Sequence, residues 1–241
     1  RRLVVGPVAA GGTLGILIPP SIPMILYGTI TDESVGKLFM SGVVPGALLT
    51  LAFVAYIVFA SWNKPREERA SHEAKMKSLR ENIWGLLLPV IIIGGIYTGI
   101  FTPTEAAAVG TVYALIITFF IYHSITIEDM PAILRATIKT SCMIFAIMVG
   151  AMLFGYILTV LQVPQALMSL VTDGHLNKWI VLIGINIVLL ILGCVLETVS
   201  IILITLPMLY PIIKALGFDP IWFNVVLLIN MELALITPPV G

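Results

Sequence analysis

Two short segments hold the residues best suited to chemistry, and both are built on adjacent prolines. Gly15-Ile16-Leu17-Ile18-Pro19-Pro20-Ser21 near the start is echoed by Ala234-Leu235-Ile236-Thr237-Pro238-Pro239-Val240 near the end. Proline has no N–H and blocks the carbonyl four residues back, so each pair must interrupt a helix. Each interruption lies in an apolar, membrane-length stretch, where an unpaired backbone group costs several kcal/mol unless protein, water or an ion satisfies it. Freed carbonyls at a half-helix C-terminus bind cations, while freed N–H groups attract carboxylates. In the first break the candidate cation ligands are the carbonyls of Gly15, Ile18 and Pro20, with the Ser21 hydroxyl beside them. Gly11, Gly12 and Gly15 permit close backbone approach there. In the second break Thr237 stands where the first has Ile18, which adds a side-chain oxygen. Hard oxygen donors suit Na+, and neither break holds the Cys/His cluster of a transition-metal site. A plain proline kink is the competing reading of either copy alone. Two interrupted segments in corresponding places of two halves point instead to a transporter binding site.

A second polar group sits in Glu197-Thr198-Val199-Ser200, between two apolar arms. A carboxylate at membrane depth marks an ion pathway or functional site; alternatively Glu197 caps the second arm by accepting its first N–H groups. Thr102-Pro103-Thr104-Glu105 reads as a helix start, with threonine N-cap, proline and early glutamate. Asn186, Asn230 and Glu232 fall within apolar segments and are expected to hydrogen-bond between helices. His72, His123 and His175 fall in loops and receive no role. No phosphate-cradling Gly-Lys-Ser/Thr or His-Glu-x-x-His sequence occurs, so uphill transport would run on an ion gradient and the chain is not expected to be an enzyme. An intramembrane enzyme using Glu197 or Glu232 would lack a catalytic partner.

The elements that position these residues follow from composition. Of 241 residues 59% are hydrophobic and 11% charged, with mean hydropathy +1.08, far from the roughly 25% charged residues of soluble domains. An all-α polytopic membrane protein follows. Net charge is zero, which gives no case for nucleic-acid binding. Cys142 and Cys194 lie in apolar runs and read as small buried hydrophobes. Residues 1–60 form a broken span over 3–30, a polar turn at Thr31-Asp32-Glu33-Ser34 and a span over 35–60. Residues 61–82 form a basic loop holding Lys64, Arg66, Arg69, Lys75, Lys77 and Arg80, hence cytoplasmic. Its portion over 70–82 is either a surface helix or a solvated loop. Residues 83–172 supply spans over 83–101, 106–122 and 132–161 and a short helix near Val163–Val171. Residues 173–241 open on the turn Asp173-Gly174-His175. They continue as two arms over 178–216, bracketed by Lys178 and Lys214, and end in the second broken segment from Asp219-Pro220. Arms of about 17 residues are marginal for a ~30 Å core, so a re-entrant hairpin is expected, with two full spans as the alternative. On that span count the two breaks run in opposite directions, as an inverted repeat requires. Arg1-Arg2 and Gly241 both abut membrane segments, so the chain is expected to be an internal piece of a longer protein.

Three motifs resemble the large membrane subunit, of DctM type, of tripartite ATP-independent periplasmic (TRAP) transporters. They are Gly11-Gly12-Thr13-Leu14-Gly15-Ile16-Leu17-Ile18-Pro19-Pro20-Ser21-Ile22-Pro23, Gly99-Ile100-Phe101-Thr102-Pro103-Thr104-Glu105-Ala106-Ala107-Ala108-Val109, and Leu235-Ile236-Thr237-Pro238-Pro239-Val240-Gly241. The resemblance implies an elevator-type inverted-repeat carrier in the bacterial inner membrane. It also implies symport of organic acids with sodium: C4-dicarboxylates, sugar acids or sialic acid. The implied partners are a small four-helix membrane subunit and a periplasmic substrate-binding protein, with Na+ the coupling ion and no other cofactor. Sodium would bind at Gly15, Ile18 and Pro20 and at Thr198 with Thr237, and substrate at Ser21, Thr198 and Ser200. Gly12, Pro19, Thr104, Glu105, Pro238 and Pro239 would be structural. The hairpin completing the first site would precede Arg1, and further helices would follow Gly241. A stand-alone divalent-anion/sodium symporter of similar architecture is the alternative, and a non-transporting assembly subunit would leave the paired breaks unexplained.

Overall fold

A computed structural model of the chain describes residues 11–62, 71–174 and 177–237, with the side chains of 170–173 outside that description. Every regular element among these residues is helical. A 3-10 turn, Leu14–Ile16, precedes α1 (Ile22–Thr31), α2 (Val35–Ser61), α3 (His72–Tyr97), α4 (Pro103–Ile116, continued by a π turn over Ile117–Ile121), α5 (Met130–Val160), α6 (Val163–Asp173), α7 (Lys178–Gly193), α8 (Thr198–Ala215) and α9 (Pro220–Ile236). Five stretches are long and apolar enough to cross a membrane: α2, α3, α4 with its π turn, α5 with the 3-10 turn before it, and α8. Arg1, Arg2, Lys64, Arg66, Arg69, His175, Pro238 and Pro239 lie outside the described residues.

Element ends follow local chemistry. Asp32 closes α1 in the left-handed region at φ 57°, a conformation aspartate tolerates better than most residues. Ser71 caps α3 by accepting from the Ala74 N–H at 3.1 Å. Asn177 accepts from Trp179 N–H at 2.9 Å at the start of α7, and Asp219 accepts from Trp222 N–H at 2.8 Å at the start of α9. The expected capping box is present: Thr102 N–H donates to Glu105 Oε2 at 2.8 Å, and Glu105 N–H donates to Thr102 Oγ1 at 3.3 Å.

Several sequence expectations change. The portion over 70–82 is neither a separate surface helix nor a loop, because α3 runs unbroken from His72 into the apolar segment. The helix formers around Lys75, Lys77 and Arg80 carry no breaker, and Pro89 lies inside the helix without ending it. His72 is thus the first residue of a helix rather than part of a loop. Cys142 is exposed and Cys194 only half-buried, so neither is a buried core residue. Of the two arms over 178–216, α8 is long enough to span and α7, at 16 residues, is shorter than a crossing needs.

The chain divides into two compact units, with boundaries inside α2 and α5. One comprises 1–57 and 142–241, the other 58–141. In the second unit α3 packs against α4, fastened by Tyr113 Oη donating to the Trp84 carbonyl at 2.8 Å and Gly85 N–H donating to Tyr122 Oη at 3.0 Å. In the first unit α1 packs on α8, and α9 packs on α7, α8, α1 and the 3-10 turn. Met24, Tyr27, Ile201, Leu206, Phe223 and Leu227 are fully buried in its core. Hydroxyls pin its ends: Tyr27 Oη donates to the Pro220 carbonyl at 2.7 Å, and Tyr210 Oη donates to the Thr31 carbonyl at 3.2 Å.

Candidate ion and substrate site

The first break is built by its prolines. Residues 11–13 are helical, the next three tighten into a 3-10 turn, and Leu17 and Ile18 N–H groups both donate to the Leu14 carbonyl, at 3.0 and 2.8 Å. In an unbroken helix the carbonyls of Gly15 and Ile16 would receive the N–H groups of residues 19 and 20. Both are proline and have none. The Ser21 hydroxyl, 1% exposed, turns back and donates to the Ile16 carbonyl. Among the described residues the carbonyls of Gly15, Ile18 and Pro20 accept none of the backbone bonds of this turn. Gly15, Ile18 and Pro20 are exposed, whereas Leu17, Pro19 and Ser21 are buried. The break thus presents three carbonyl-bearing residues outward on a buried footing. Its geometry differs from a kinked helix, because α1 restarts only at Ile22.

Glycines outside the break hold it in place. Among the described residues nothing lies within 4 Å of a Cβ placed on Gly11, Gly12 or Gly15. The footing comes instead from α2, where a Cβ on Gly42 would stand 2.5 Å from the Leu17 carbonyl oxygen and one on Gly46 would stand 3.0 Å from Ile18 Cγ1. Gly42-Val43-Val44-Pro45-Gly46 is a G-x-x-x-G pattern, the spacing that lets membrane helices approach closely. That signal was present in the sequence and marks the support of the break.

The break also touches α9. Thr13 Oγ1 donates to Glu232 Oε1 at 3.3 Å. Asn230 bonds between helices as the sequence suggests: its Nδ2 donates to Asn186 Oδ1 on α7 and to the Val226 carbonyl at 2.8 Å. Asn224 is fully buried and neither of its side-chain polar atoms has a partner among the described residues.

The second group forms where α7 meets α8. Glu197 is the N-cap residue of α8 by backbone conformation, but it is exposed and its side chain accepts no capping bond. The capping that was the alternative reading of Glu197 is therefore absent among the described residues. Thr198 is 7% exposed, while Ser200 is half-buried. Gly193 meets the Ala234 side chain directly, which brings this turn beside the end of α9. Thr237 ends α9 in an extended conformation, exposed, with Oγ1 donating to the Leu233 carbonyl at 2.7 Å. Thr104 is exposed beside the capping box of α4, and Gly12 is exposed ahead of the break. Among the described residues no cluster of three or more His, Cys, Asp or Glu side chains forms a metal site.

Residues 2–241 match the family model described as "Tripartite ATP-independent periplasmic transporter, DctM component". The C4-dicarboxylate TRAP transporter large permease protein DctM of Pseudomonas aeruginosa is 48% identical over 98% of this chain and 56% of its own length. The sialic acid TRAP transporter large permease protein SiaM of Vibrio cholerae is 37% identical over the same shares. The 2,3-diketo-L-gulonate TRAP transporter large permease protein YiaN of Escherichia coli is 36% identical, again over 98% and 56%. The chain thus spans a little over half the length of these relatives, all of them named as permeases. With the apolar helices described above, it is part of a multi-pass membrane protein, and it belongs to the DctM family of tripartite ATP-independent periplasmic transporter components.

Proposed function

We propose that the full protein is the large permease subunit of a sodium-coupled importer of organic acids, of the C4-dicarboxylate, sugar-acid or sialic-acid type. It acts in the bacterial inner membrane with a small four-helix membrane subunit, and a periplasmic binding protein delivers its substrate. Substrates of this class accord with those named for the relatives. The observation that carries the reading is the first break, where the residues bearing the Gly15, Ile18 and Pro20 carbonyls are exposed and accept no backbone bond of the turn. Oxygens in that state at membrane depth favour a cation that replaces the missing donors.

Thr198 and Thr237 supply the second sodium site, and Ser21, Thr198 and Ser200 contact substrate. The juxtaposition of Gly193 with Ala234 supports a second site shared by the α7–α8 turn and the end of α9. The two broken segments are inverted copies, and transport proceeds by elevator movement of the domain that contains them.

The test is uptake of radiolabelled succinate or N-acetylneuraminate into proteoliposomes. They would hold the full-length permease with its small subunit, with and without an inward Na+ gradient and the matching binding protein. Uptake that requires both supports the reading. Sodium-dependent uptake without binding protein replaces it with a stand-alone symporter, and uptake indifferent to sodium removes the assignment of the breaks as ion sites.

A further inference from the structure

Glu232 is the one buried acid among the described residues, 3% exposed, and the reading above gives it no task. Its Oε1 accepts from Thr13 Oγ1, and its Oε2 is buried without a hydrogen-bond partner among the described residues. Thr13 belongs to the helical turn leading into the first break, so this contact joins the break to α9. An ionised carboxylate with a dry oxygen is strongly disfavoured unless a cation compensates it.

Among the described residues, the elements around α9 offer no such cation nearby. Residues 11–21 contain no titratable side chain. α1 brings Tyr27, whose hydroxyl bonds Pro220, twelve residues from Glu232 and so about 18 Å along the helix. α7 brings Lys178 at its opposite end, over the rings of Trp179 and Phe218, with Cys194 just past Gly193. α8 brings Tyr210 and Lys214 in its last turns, Lys214 lying over the Tyr210 ring, and the exposed acid Glu197 at its start. α9 itself adds Asp219, used as its N-cap. The ion pair among the described residues is Lys77–Glu81, on α3. One carboxylate and one hydroxyl also fall short of the roughly six oxygens that hard cations gather.

We propose that Glu232 is a proton-binding site, neutral while α9 is packed against the first break, with the proton on Oε2 and Oε1 accepting from Thr13. Water delivers the proton as the O–H bond forms at Oε2, and the proton returns to water when the contact opens. No electron is transferred. Closure of the break against α9 thereby becomes coupled to proton uptake, through a side chain that is not itself among the proposed sodium and substrate residues.

The experiment is pH-stepped infrared difference spectroscopy on the full-length permease, co-purified with its small membrane subunit in lipid, without substrate. Wild type is expected to show the C=O stretch of a protonated carboxylic acid at neutral pH, sensitive to D2O and lost as pH rises. Glu232→Gln, which keeps the side-chain shape, loses that band, and Thr13→Val shifts its frequency. Absence of the band from wild type at neutral pH overturns the proposal, as does its persistence in Glu232→Gln. An unshifted band in Thr13→Val overturns it even where the Gln variant cannot be purified. Loss of the band on adding NaCl at fixed pH would make Glu232 a sodium ligand and likewise overturn it.

Discussion

Alanine at Gly42 tests how rigidly the first break is held. The added Cβ would stand 2.5 Å from the Leu17 carbonyl oxygen, and Cβ atoms do not come closer than 3.0 Å to such neighbours, so something must move by at least 0.5 Å (3.0 − 2.5). Met24 also meets this Cβ, but its thioether end is flexible; the Leu17 oxygen is backbone and can move only if the break moves. Overpacking of this kind costs about 1–3 kcal/mol. Gly46→Ala is the internal control, because its Cβ meets only the Ile18 side chain, Cγ1 at 3.0 Å and Cδ1 at 3.9 Å, and that residue is 40% exposed. There the strain is offset by the ~0.5–1 kcal/mol that alanine gains over glycine within a helix. Gly42→Ala in the full-length permease should therefore lower thermal stability and raise the Na+ concentration for half-maximal uptake, by up to about tenfold for each 1.4 kcal/mol felt at the site. Gly46→Ala should stay near wild type in both assays. Equal behaviour of the two variants would refute the argument that α2 holds the Leu17–Ile18 backbone in place.

Three further outcomes are expected. Gly193→Ala collides with the Ala234 side chain and should destabilise by roughly 1–3 kcal/mol, while the double variant Gly193→Ala/Ala234→Gly recovers most of the loss in a thermal-melting cycle. Asn230→Leu and Asn186→Leu should show a coupling of about 0.6–1.7 kcal/mol in a double-mutant cycle read by denaturation in lipid, and additivity would contradict the bond between them. Thr198→Val or Thr237→Val should weaken sodium activation of uptake with membrane insertion unchanged, and unaltered sodium dependence in both would remove them from the ion site.

Much of the architecture was legible because it rests on backbone chemistry. Proline at 19 and 20 removes donors whatever surrounds it, and the break appears where those donors are missing. Thr102 and Glu105 sit at capping-box spacing, and the box forms from local contacts alone. What failed needed tertiary knowledge. The glycines that support the break, Gly42 and Gly46, lie in α2, more than twenty residues away in sequence, and only the fold brings them to it. Glu197 stands at the N-cap position of α8, yet its side chain stays exposed and caps nothing, and rotamer choice is not written in sequence pattern. The division between a basic segment and an apolar one was drawn at residue 82 because composition changes there, but backbone continuity does not follow composition.

That continuity in α3 has a mechanical side. Its 26 residues measure about 39 Å at 1.5 Å per residue, some 9 Å more than a ~30 Å hydrocarbon layer. Lys75, Lys77 and Arg80 ride on the charged end of this rod. Because the helix runs on from these charges into the apolar turns as far as Pro89, reorientation of that stretch in the lipid carries their ammonium and guanidinium groups with it. Spin labels on that end would read the tilt of the turns before Pro89, and anionic lipid would resist or favour the motion according to its direction.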